Sequence, residues 1–134
     1  MQPAKLFLLA SLFPLAACLP MQKKVPSGAE DFATYCAACH GDGAKGDGPM
    51  ASTLDSTPAD LTRLAARNKG VFPATAVMSK IWGYTEGPDG EMMPQFAPLL
   101  DGENMVLFDG GDGIATPTPL RLVQLAEYLK SIQR

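Results

Sequence analysis

The sequence predicts an all-α domain of short helices joined by long loops. Two observations predict it. Apolar residues recur at helical spacing in four separate windows, and no βαβ alternation occurs anywhere. The chain also holds 13 Gly and 12 Pro in 134 residues, roughly a fifth of its length, which breaks it into short elements. That length suits one domain. The net charge of −3 argues against a nucleic-acid surface, which needs clustered Lys and Arg.

The elements follow in order. Residues 1–17 read as a signal peptide: one early Lys5, then an apolar run from Leu6 to Ala17, too short to span a bilayer. The run ends Leu15-Ala16-Ala17-Cys18, which resembles a bacterial lipobox. The resemblance implies cleavage before Cys18 and lipidation of its sulfur; the alternative is a plain signal-peptidase cut that leaves the protein soluble in the periplasm. Cleavage there changes 11 Lys and Arg against 14 Asp and Glu to 10 against 14. Residues 18–26 read as a tether with a reach of about 30 Å. Residues 27–134 then form the domain.

Ser27 and Glu30 make a capping box that starts a helix, and Phe32, Cys36, Cys39 and His40 follow on one face. Gly41 stops it, and residues 41–57 read as a flexible loop. Leu61, Leu64 and Ala65 predict a short helical piece closed by Asn68-Lys69-Gly70. Val77, Met78, Ile81 and Trp82 predict another, begun by Pro73 and ended by Gly83. Residues 85–118 read as loop, within which Met105–Phe108 is a short strand or an extended cover segment. Asp109–Gly113 lacks the spaced acids of a calcium loop and reads as a turn. Thr118 caps the last helix, Pro119 opens it, and Leu122, Leu125, Ala126, Leu129 and Ile132 make its stripe.

The chemistry concentrates in Cys36-Ala37-Ala38-Cys39-His40-Gly41-Asp42-Gly43-Ala44-Lys45-Gly46. Its G-x-G-x-x-G lacks the preceding strand and following helix of a dinucleotide site. A zinc site needs four ligands, and beyond the two Cys only His40, the single His of the chain, remains. A thioredoxin-like pair belongs at a helix N-terminus, where the dipole stabilises a thiolate, whereas this pair is predicted at a C-terminus. Haem attachment meets each constraint. Two thiols three residues apart can add to two vinyl groups, and the next residue can bring its imidazole to iron. With Cys18 as the anchor, the remaining two cysteines are this pair.

A single His forbids bis-His ligation within the chain, so the sixth ligand falls to Met, a weaker group or nothing. Of seven Met, Met50 lies in a loop, Met78 has helical spacing and Met105 sits in an apolar run, so both of these read as core. Glu91-Met92-Met93-Pro94-Gln95-Phe96, about fifty residues on, offers a Met held by the restricted backbone before Pro.

C-A-A-C-H, P-A-D-L-T, M-M-P-Q-F and the terminal L-V-Q-L-A-E-Y-L resemble, in order and spacing, a class I c-type cytochrome. The resemblance spans most of residues 27–133. It implies a cytochrome c fold around one covalent haem c, with thioethers from Cys36 and Cys39 and axial ligands His40 and Met93, Met92 being the alternative. It also implies a Pro carbonyl accepting from His40 Nδ1, with Pro58 ahead of Pro49, and a crossing of first and last helices at Phe32 and Tyr128. Trp82, Arg63 and Arg67 are secondary candidates for the propionates, with core packing and a solvated face as the simpler roles. Segment 97–118 exceeds the shortest members and would cover a haem edge or form a docking surface.

The implied function is one-electron transfer on the periplasmic side of a bacterial membrane, between a redox donor and acceptor, with no nucleic-acid partner and no catalysis of its own. A dedicated cytochrome c subunit of a periplasmic dehydrogenase or oxidase complex is the alternative. A haem enzyme or gas sensor with an open sixth site would need a distal His or Arg set.

Overall fold

A computed structural model of the chain describes residues 24–85, 93–102 and 104–134. The signal peptide, Cys18 and Met92 therefore lie outside the described residues. Helix α1 (Gly28–Tyr35) starts at the Ser27–Glu30 capping box, with both reciprocal bonds present. It breaks at Cys36, and a single turn, α2 (Ala37–His40), continues it. The helix expected to run unbroken to His40 is thus two helices, divided where Cys36 takes φ −114°.

A 3₁₀ turn at 61–63 leads into α3 (Leu64–Arg67), closed as expected at Lys69 and Gly70, both at positive φ. Helix α4 (Ala74–Trp82) ends at left-handed Gly83, and α5 (Ala97–Leu100) is one turn. Strands β1 (Met105–Asp109) and β2 (Ala115–Pro119) pair antiparallel, with Leu107 opposite Pro117. Helix α6 (Leu120–Ser131) closes the domain.

The hairpin corrects the all-α expectation: the described residues are mostly helical with one two-stranded sheet. Pro117 and Pro119 hid β2, because Pro removes a ladder donor and demotes a strand reading. A two-stranded ribbon leaves each strand one open edge, where those missing donors cost nothing. The same hairpin shifts the start of α6. Thr118 belongs to β2 and Pro119 precedes the helix, with Leu120 N–H bonded to Asn104 O at 2.8 Å. Met105 lies on the hairpin half exposed, so it is not a core residue.

The core centres on the α1–α6 crossing. Phe32, Leu122, Leu125, Ala126 and Leu129 are buried there, and α4 adds Met78 and Ile81. The Phe32 and Tyr128 rings meet at 5.3 Å between centroids, the crossing contact expected from the sequence. Gly28 makes the approach possible: a Cβ there would sit 2.0 Å from Gln124 O on α6. Beside it, Asp31, 2% exposed, receives Arg121 Nε at 3.0 Å and Nη2 at 2.5 Å. Arg121 Nη1 donates to Leu99 O at 2.5 Å, tying α5 to the same pair.

Candidate haem site

The site grows from the C-terminal end of α2. A helix end leaves four carbonyls without intrahelical partners. Here the following loop supplies all four donors. Gly41 N–H reaches Ala37 O at 2.8 Å, Met50 N–H reaches Ala38 O at 2.9 Å, Gly48 N–H reaches Cys39 O at 3.1 Å, and Gly46 N–H reaches His40 O at 2.8 Å. The loop expected to be a flexible exit is therefore a fitted cap. Its glycines serve contact: a Cβ on Gly48 would lie 2.5 Å from Ala38 O, and one on Gly46 would lie 2.1 Å from Pro58 O.

That second contact brings the loop onto residues 58–62. Leu61 N–H donates to Ala44 O at 2.8 Å, and Ala44 is fully buried. His40 Nδ1 lies 3.0 Å from Ala59 O. The sequence pointed to the carbonyl of Pro58 for this bond; the neighbouring carbonyl makes it, because Pro58 O is turned toward Gly46. Pro49 lies on the capping loop beside Gly48. With Nδ1 as the donor to Ala59 O, Nε2 carries the lone pair that a metal would take.

The far end of the chain holds the same segment. Gln133 Nε2 donates to Leu61 O at 2.7 Å, and Gln133 Oε1 accepts from Ala65 N–H at 2.8 Å. Arg134 Nε reaches Thr62 Oγ1 at 2.8 Å, and Arg134 N–H reaches Thr62 O at 3.0 Å. Thr62, buried, donates through its hydroxyl to Asp60 Oδ1 at 2.6 Å. That bond first, and then the Thr62 amide and Arg134, hold the Asp60 carboxyl below its ordinary value. Sequence reasoning missed these positioning residues. Polar side chains at a terminus carry no periodic signal, and only the fold shows what they reach.

Cys36 and Cys39 are free thiols of intermediate burial. Burial, and then the charges of Asp31 and Cys39, push the Cys36 thiol up to about 11. A thiol held neutral at physiological pH is the opposite of an exchange-active one. Among the described residues no group of three or more His, Cys, Asp or Glu is placed to hold a metal ion.

The donor set fits a haem. Cys36 and Met93 are both half-buried and pack against the one core cluster, together with the apolar Leu61, Phe72 and Val77. Met93 precedes Pro94, and Phe96 N–H fixes the segment to α4 through Ile81 O at 3.0 Å. Met50 is half exposed and Met78 is buried in the core. Trp82 packs against the core and near Tyr84, while Arg67 Nε turns back to Arg63 O at 3.2 Å.

No helix among the described residues is long and apolar enough to cross a membrane. A family model described as cytochrome C oxidase, cbb3-type, subunit III, matches residues 23–106. No curated protein and no solved structure matches the chain.

Proposed function

The chain belongs to the cytochrome c oxidase, cbb3-type, subunit III family, and we propose that within it this protein is a one-electron carrier with one covalent haem c, ligated by His40 and Met93. The observation that carries the reading is His40. Its Nδ1 is tied to Ala59 O while two free thiols, Cys36 and Cys39, lie within the preceding turn.

Cys36 and Cys39 would hold the cofactor through two thioethers. Bound in this way, it supplies Fe(II)/Fe(III) cycling at a potential raised by His/Met ligation. His40 offers Nε2 to the metal. Its Nδ1–H bond to Ala59 O fixes the ring plane and makes the imidazole more electron-rich. Met93 offers a thioether from a backbone restricted by Pro94. Leu61, Phe72 and Val77, packed on the same core, would supply apolar walls. The chain itself catalyses no reaction.

The absorption spectrum of the oxidised holoprotein tests the ligand set. The far-red sulfur-to-iron band is expected at neutral pH, lost in Met93→Ala and kept in Met92→Ala. The reverse pattern assigns Met92.

Residues 1–17 act as the signal peptide, 18–26 as a tether lipidated at Cys18, and 27–134 as the cytochrome domain on the periplasmic side of the membrane. Cys18→Ser then releases the protein from membranes; retention would sink the anchor. The family description favours one further reading, a permanent cytochrome c subunit of an oxidase complex. Copurification with oxidase subunits from native membranes supports it, and recovery as a lone monomer removes it.

A further inference from the structure

Between Lys80 and Arg121 the chain carries seven of its 14 acidic residues and no Lys, Arg or His. The described part of that stretch walls an open cleft of about 430 Å³ between α4, the hairpin and the start of α6. Asp101 and Asp112 line it, beside Trp82, Tyr84, Met105 and Ile114, and no basic side chain does. Three of these apolar residues are largely in water: Tyr84 at 79% exposure, Ile114 at 66% and Met105 at 50%. Asp109, also exposed, sits at the hairpin tip with Oδ1 held by Gly111 and Gly113 N–H.

An apolar floor open to solvent has an energetic cost that a partner would remove. A one-signed rim attracts the opposite sign and repels its own. We propose that this cleft and hairpin dock a protein whose contact surface is basic around an apolar centre. A second copy of this chain is disfavoured, because it would bring the same acids together. The surface also adjoins the Met93 side of the domain. Gly83, next to Trp82, lies so close to the Gln95 side chain that a Cβ would meet it at 2.5 Å. A docked partner would therefore sit one helix end from the Met93 segment. Naming that partner an electron donor or acceptor rests on the electron-carrier reading; the docking rests on charge and exposed apolar area.

The test is calorimetric titration of the holoprotein with a lysine-rich monohaem cytochrome c as probe. At ~10 mM salt the screening length is about 30 Å, and at ~150 mM it is about 8 Å. Binding is expected at the lower salt, weakening at least about tenfold at the higher. The variant D101N/D109N/D112N removes three charges and keeps every acceptor oxygen that orders the loop. It is expected to bind about tenfold more weakly. A charge-matched control, D42N/D55N/E127Q, is expected to stay within about twofold. M105S/I114S is expected to bind several-fold more weakly at both salt concentrations.

An equal loss in the control, no heat at low salt, or self-association of the chain at low salt overturns the proposal. So does an unchanged affinity in M105S/I114S. Heat is read independently of the redox state. Absent haem bands would sink the carrier reading alone, whereas absent binding beside a normal spectrum sinks the docking alone.

Discussion

Asp31 and Arg121, 90 residues apart, form a two-bond ion pair that joins the first helix to the last. Asp31 is 2% exposed, so its charge depends on that guanidinium and has no water to replace it. Removing one partner of a buried pair costs about 3–5 kcal/mol, while replacing both by apolar groups is often neutral. Arg121→Met is therefore expected to lower the unfolding midpoint steeply, and the double variant Asp31→Leu/Arg121→Met to recover most of the loss. Thermal unfolding of the wild type, Asp31→Leu, Arg121→Met and the double variant checks it.

Gly28→Ala is expected to force α1 and α6 apart, because the new Cβ would lie 2.0 Å from the Gln124 carbonyl oxygen. Overpacking of this kind costs about 1–3 kcal/mol. Ser27→Ala, one residue away, removes only the cap and costs ~1 kcal/mol. Denaturant midpoints should rank the two in that order. A Gly28→Ala protein as stable as the wild type would refute the close crossing.

Glu30 should give stability an acid limb. Its carboxylate accepts the Ser27 backbone N–H and hydroxyl and faces Lys24 at 3.1 Å, which lowers its pKa from 4.5 to about 2. A lowered folded-state pKa stabilises above the ordinary value and is lost as the pH falls through the folded one. The contribution is thus complete above about pH 4.5 and fades toward pH 2. The difference in melting temperature between wild type and Glu30→Gln should shrink across that window. A constant difference would disprove the linkage.

Two glycines share φ +84° and differ in what surrounds them. Gly70 has nothing within 4 Å, whereas a Cβ on Gly46 would meet Pro58 O at 2.1 Å. Left-handed backbone costs a non-Gly residue about 1–2 kcal/mol. Gly70→Ala should lose only that amount. Gly46→Ala should lose more, and by displacing Pro58 and Ala59 it should weaken the His40 Nδ1 bond. A less electron-rich imidazole stabilises Fe(III) less, so the reduction potential of Gly46→Ala should move upward while that of Gly70→Ala stays put. Redox titration separates the two.

Much of the domain was legible in the chain because local physics wrote it there. The Ser27–Glu30 box, the stripe of α6 and the stop at Gly83 are short-range events whose residues carry their own signals. The Phe32–Tyr128 contact was accessible through resemblance. The hairpin was half visible, since Met105–Phe108 reads as extended but a strand with two prolines does not. Arg121, Gln133 and Arg134 gave no hint of their tasks, because a polar residue's partner depends on which distant backbone the fold delivers.

By itself the sequence determined the start of α1 at the Ser27–Glu30 box, the stop of α4 at Gly83 and the spacing of Cys36, Cys39 and His40. Covalent spacing and backbone chemistry decide those within a few residues. Only the tertiary structure decided that residues 41–50 cap α2 as a fitted loop, that Ala59 and not Pro58 faces His40, and that a hairpin replaces a loop. Each of these depends on a carbonyl or amide meeting a partner from another part of the chain, and only folding brings those parts together.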